Sequence, residues 1–201
     1  MAKNAGKIET MQECSVENIV ALIHERQSIG QLVEPAPSAE QLHQVIASAL
    51  TAPDHHRLHP WRFICVEHEQ RQAFGALLAQ SLAADGEMDE VQLERVKLHP
   101  LRAPMLLICI MQYHPHPKVP EYEQVLSCGA AIQNILLTLQ AQGFASMWRS
   151  GAVAESVSLK QALGCAEQDQ IAGLIYIGTT AKAIAPRQQL SVTDFLTTWQ
   201  A

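Results

Sequence analysis

The unbroken apolar run Met105-Leu106-Leu107-Ile108-Cys109-Ile110-Met111 suits only one kind of strand. A strand apolar on both faces belongs inside a sheet with cover on either side, not at a half-solvated surface. Helical periodicities around it supply that cover. Glu121 to Gln142 carries Leu126, Ala130, Ala131, Ile132, Ile135, Leu136 and Leu139 and is closed by Gly143. It is apolar on more than one face, as a helix central to a core or a subunit interface must be. A second helix begins at Ser38, whose spacing to Gln41 predicts a capping box, and puts Leu42, Val45, Ile46, Ala49 and Leu50 on one face. Phe74, Leu77, Leu78 and Leu82 mark a third, broken by Gly86. Ahead of these, Ser15 caps a helix whose stripe is Val16, Ile19, Val20 and Ile23 and which ends near Arg26-Gln27-Ser28, before Gly30. Glu87 to Lys97 reads as a charged, mobile helical cover. Phe63–Glu67 and Ile171–Gly178 are further strands, and the sum is an α+β, three-layer sandwich of four or five strands with helices on both faces. Residues 1–15 read as an arm, residues 16–201 as a single domain, and the tail with Val192, Phe195, Leu196 and Trp199 is too apolar to float free.

With 48% hydrophobic and 17% charged residues, the chain is long enough to bury a full core. A net charge of −6 gives no reason to expect nucleic acid or an anionic membrane as partner. No apolar run is long enough to span a bilayer, and the first residues lack the apolar segment of a signal peptide, which points to the cytoplasm. Cys14, Cys65, Cys109, Cys128 and Cys165 form neither a disulfide framework nor a zinc motif, and Cys65 and Cys109 read as core residues.

The segment with most chemistry per residue is Ala52-Pro53-Asp54-His55-His56-Arg57-Leu58-His59-Pro60-Trp61-Arg62-Phe63. Its prolines exclude a regular helix, so its polar side chains answer to something else. Three histidines invite a zinc reading, yet there is no room for a helix and no second ligand motif. The plainer alternatives are cofactor contacts or ordinary loop histidines. His114 and His116, in a proline-rich loop, read as solvated.

Three segments together resemble the FMN-dependent nitroreductase family, especially its small, single-domain NAD(P)H nitroreductases. They are Arg26-Gln27-Ser28, the loop Ala52-Pro53-Asp54-His55 with Pro60-Trp61-Arg62-Phe63, and Gly143-Phe144 with Trp148-Arg149-Ser150-Gly151 ahead of the Ile171–Gly178 strand. The resemblance spans roughly residues 16 to 180. It implies a mostly antiparallel central sheet and an intertwined homodimer with FMN sites at the interface. Arg26, Gln27, Ser28, Trp148, Arg149 and Ser150 would meet the flavin from one subunit, and Thr51 and His55 from the other. Thr138, Leu139, Gln140, Ala141, Gln142 and Gly143 correspond to a segment assigned to the nicotinamide nucleotide.

Elementary chemistry agrees with parts of this. A guanidinium grips phosphate through paired, charge-assisted hydrogen bonds, so Arg26 with the Ser28 hydroxyl makes a phosphate clamp, and Arg187 can add a second charge. The flavin carries the hydride chemistry, so no catalytic side chain and no metal is required. Four departures stand out: Gln27 in place of an arginine, Gly30-Gln31 where relatives often carry another cation, Thr51 for a longer basic residue, and His59 for glutamine. Less positive charge predicts weaker FMN retention. The reading is an oxidoreductase passing hydride from NADH or NADPH through flavin N5 to a nitroaromatic, quinone or similar small acceptor. The alternatives are a flavin storage or sensing protein with little turnover, and a His-loop metal hydrolase.

Overall fold

The computed structural model describes residues 15–86 and 88–200; the expected arm, apart from Ser15, lies outside them. Its centre is an antiparallel sheet of four strands, β1 (Trp61–Glu67), β2 (Met105–Met111), β3 (Ala145–Arg149) and β4 (Gln170–Gly178), in the order β1-β2-β4-β3. Every residue of β2 is buried, and alternation along it divides the core in two. Met105, Leu107, Cys109 and Met111 face α2 (Ala39–Ala49) and α5 (Glu121–Ala141), while Leu106, Ile108 and Ile110 face α3 (Gln70–Asp85) and α4 (Glu90–Lys97). The apolar run thus dictates the layering.

Local signals act where expected. Ser38 and Gln41 form the reciprocal capping box of α2. Gly86 takes φ +77 and closes α3 through its N–H to the carbonyls of Leu82 and Ala83. Two expectations change. The 87–97 stretch is packed rather than a loose cover: Val96 is buried, and Gly75 of α3 lies so close to the Lys97 carbonyl that a Cβ there would stand at 2.1 Å. Cys65 is exposed, because β1 is an edge strand whose Trp61 and Phe63 reach the α2–α5 core while Cys65 lies beyond it.

Two apolar segments bury nothing against their own chain. Helix α1 (Val16–Glu25) leaves its whole stripe exposed, and the tail residues Phe195 and Trp199 are 74% and 84% exposed. The tail does not fold back onto this chain's core as its composition suggested, since both cores are already closed by helices.

After α1 the chain turns extended at Arg26 and passes along the free edge of β3. Ser28 bridges Ser146 in parallel, Ile29 N donates to the Ser146 carbonyl at 3.0 Å, and Val33 and Thr179 exchange backbone bonds at 2.9 and 2.8 Å. This strap covers the edge and delivers its polar residues to it.

Candidate active site at the sheet edge

Arg26 leaves the end of α1 with Nη1 buried and without a partner. Burial, and secondarily the neighbouring charge of Arg187, hold its guanidinium below the ordinary arginine range. The two cations meet because Gln27 Nε2 donates to the Ala185 carbonyl at 2.9 Å, anchoring the tail two residues before Arg187. An arginine that only complemented a helix dipole would gain nothing from a second cation beside it. An unpaired buried guanidinium calls for an anion.

Trp148 and Arg149, on β3, point to opposite faces of the sheet. The ladder between β2 and β4 slips at Cys109/Ile110, leaving Ala172 out of register, and Trp148 Nε1 donates to that free carbonyl at 3.0 Å. The indole crosses Gly173, where a Cβ would lie 2.1 Å from Nε1. Trp148 is therefore seated on a bulge rather than filling the core. Arg149 reaches back beneath the strap, its carbon Cζ 5.4 Å from the centroid of the Tyr176 ring and its Nε buried without a partner. Ser150 is exposed beside Gly151, whose φ of +93 turns the chain into α6 (Ala152–Glu155).

Two cavities flank Arg149. One, of about 450 Å³, is lined by Arg149, Ser150, Tyr176, His99 and Arg102 among apolar residues. The other, a groove of about 950 Å³, runs between the strap at Gly30 and the tail at Lys182 and is also lined by Arg102 and Arg149. No carboxylate lines either, and none of the ion pairs among the described residues includes an arginine. Desolvation, then Arg102 and Arg149, hold the His99 imidazole below its ordinary range. Burial pushes the Tyr176 phenol up, opposed by the same two arginines. Sequence reading missed Arg102, His99 and Tyr176. The available signal was His99-Pro100-Leu101-Arg102 immediately before the buried strand, a cation delivered to the end of the sheet.

The structure thus brings Arg26, Gln27, Ser28, Trp148, Arg149, Ser150 and Arg187 to one edge. Thr51 and His55 line neither cavity. Thr51 accepts a bond from Asn134 Nδ2 at 3.3 Å, and His55 Nδ1 lies 2.6 Å from Glu123 Oε2 at the start of α5. The segment Thr138–Gly143 packs: Leu139 is fully buried, and Gln142 Nε2 donates to the Gln41 carbonyl and Gln44 Oε1. His59 is held by Asp54, whose Oδ2 accepts from the His59 backbone at 2.7 Å, and half-buried His116 stacks on His56 with centroids 4.4 Å apart rather than standing solvated. Among the described residues, no three His, Cys, Asp or Glu side chains are grouped to hold a metal ion, and no helix is long and apolar enough to cross a membrane.

These features define a class: an α+β sandwich with a cationic, cofactor-sized cleft at one sheet edge. The family model described as the nitroreductase family matches residues 23–179. "Putative NAD(P)H nitroreductase YdjA" of Escherichia coli K12 is 39% identical over 79% of this chain and 86% of its own length. A protein of Haemophilus influenzae with the same designation, without the gene name, is 37% identical over 89% and 97%. A crystal structure of a nitroreductase-like family protein from Bacillus cereus superposes with a TM-score of 0.79 at 22% identity, covering 91% of this chain and 96% of that one. A nitroreductase with bound FMN from Bacteroides fragilis gives 0.66 at 19% identity, covering 90% and 98%. The chain belongs to the nitroreductase family, a family of flavin oxidoreductases.

Proposed function

We propose that this protein is an FMN-dependent oxidoreductase that takes hydride from NADH or NADPH and delivers it to a small acceptor such as a nitroaromatic or quinone. The observation that carries the reading is the unpartnered Arg26 Nη1 beside Arg187, a two-cation clamp of the charge a terminal phosphate needs. The names of relatives support it: the curated ones are designated NAD(P)H nitroreductases, and the B. fragilis structure holds FMN. When bound, FMN supplies the hydride-accepting N5. The chain's own residues then bind and orient: Arg26, Arg187 and the Ser28 hydroxyl hold phosphate, while Trp148–Ser150 present backbone groups and a cation to the ring.

Such a site needs a second copy of the chain. The uncovered α1 stripe and the aromatic tail are the apolar surfaces a homodimer would bury, and Thr51 and His55 of a second copy would complete the pocket. Free thiols at Cys65, Cys109, Cys128 and Cys165 suit the reducing cytoplasm. The test is the absorption spectrum of FMN-titrated protein before and after anaerobic NADH or NADPH. Binding followed by rapid bleaching is expected. Failure to bind FMN overturns the reading, and binding without reduction leaves a passive flavin carrier.

A further inference from the structure

The edge holds positive charge at two places, and phosphate accounts for one. Arg26 and Arg187 form the first. Arg149 and Arg102 form the second, both lining both cavities and so standing on the wall between them. Gly30 separates the two. A Cβ at position 30 would stand 3.2 Å from Arg149 Nη2 and 3.4 Å from Met147 Sδ. The guanidinium of Arg149 therefore occupies the space a side chain at position 30 would take, and glycine lets it lie against the strap. The Tyr176 ring attracts the guanidinium through its π-face, whereas Nε, on the guanidinium's N–H edge, is buried without an acceptor. His99 is neutral near pH 7 by virtue of its surroundings and adds a donor or acceptor rather than a third charge.

From Arg26 to Gly30 is four residues of chain, at most about 14 Å when extended. A ligand following the strap from the first pair to the second thus meets a cation for its phosphate and another for its ring. Reduction by hydride adds two electrons and one proton to the isoalloxazine at N5, oxidises the nicotinamide, and leaves N1 unprotonated with the negative charge. The oxidised ring carries none. A cation pair at that end therefore distinguishes the two redox states, as charge near N1 does in flavoproteins.

We propose that Arg102 and Arg149 form a second cation site that binds the pyrimidine edge of the reduced flavin and raises its reduction potential, Arg102 as a residue acting alongside Arg149. This rests on the FMN reading above, and its test separates the two. In the full-length, FMN-loaded protein, Arg102→Gln is expected to leave the affinity for oxidised FMN within about threefold. Affinity for reduced FMN should fall about tenfold, which for a two-electron couple lowers the midpoint potential by about 30 mV. Arg102→Lys should keep most of the potential, and Arg149→Gln should lower it further. Adding Gly30→Lys to Arg149→Gln should recover the potential, because the new ammonium enters the vacated space. Unchanged potentials in FMN-bound Arg102→Gln and Arg149→Gln overturn this proposal while leaving the FMN reading intact. A wild-type chain that binds no FMN overturns both. Arg102 is exposed, so its glutamine variant decides the matter even if Arg149→Gln fails to fold.

Discussion

The Pro53–Pro60 loop and the β3 edge pull in opposite directions when read for chemistry. The loop carries three histidines, an arginine and an aspartate within a few residues, yet its histidines are partnered. His55 bonds Glu123, His56 stacks between His55 and His116, and His59 sits against Asp54. The edge looks sparse in sequence, with arginines 26, 102, 149 and 187 scattered over most of the chain, and it leaves two of them with buried nitrogens lacking any partner. Density of functional residue types is a weak marker. What marks a binding site is polar capacity that the chain does not itself consume.

The contrast can be broken at its hardest point first. Gly173→Ala puts a methyl into the Trp148 indole and should cost about 3 kcal/mol of stability through overpacking and backbone strain, read as a lower denaturant midpoint. A midpoint unchanged from wild type would mean that Trp148 is not seated on the bulge. Arg26→Ala should leave stability nearly intact but weaken FMN binding by about 1.5–3 kcal/mol, roughly 10- to 150-fold in Kd. Equal affinities in titration would remove the phosphate clamp. His55→Ala should change monomer-core stability by less than about 1 kcal/mol, because its pair with Glu123 is largely exposed. A larger loss would make the loop a structural keystone and undo the comparison.

The smallest effect is a pH dependence. His99 is held below the ordinary histidine range, first by desolvation and then by Arg102 and Arg149. The folded state therefore binds this proton less readily than the unfolded chain does. The stability it contributes is present above the ordinary histidine range and is lost as pH falls through the folded value. Unfolding midpoints of wild type and His99→Gln, compared from neutral to acid pH, should diverge, with wild type losing more. Parallel curves would show His99 to be indifferent to the cation pair.

Much of the frame was legible in advance. Capping at Ser15, the Ser38–Gln41 box, the stop at Gly86 and the two-sided burial of β2 are decided by residues within a turn or a strand of one another, so local pattern suffices. Half of the site was legible too, since Arg26–Ser28 and Trp148–Ser150 carry the family's pattern in order. The misses share a cause. Arg102 joins Arg149 across long sequence separation, His116 meets His56 from another loop, and Cys65 is exposed because of which strand ended at the edge.

The sequence by itself determined the elements, the layer order implied by a strand apolar on both faces, and the family. Only the tertiary structure decided which cations meet, that Gly30 makes room for Arg149, and that the histidine loop spends its polar groups on itself. The reason is physical. Periodicity and capping are short-range and written in neighbouring residues, whereas the pairing or orphaning of a charge depends on every element that packs around it.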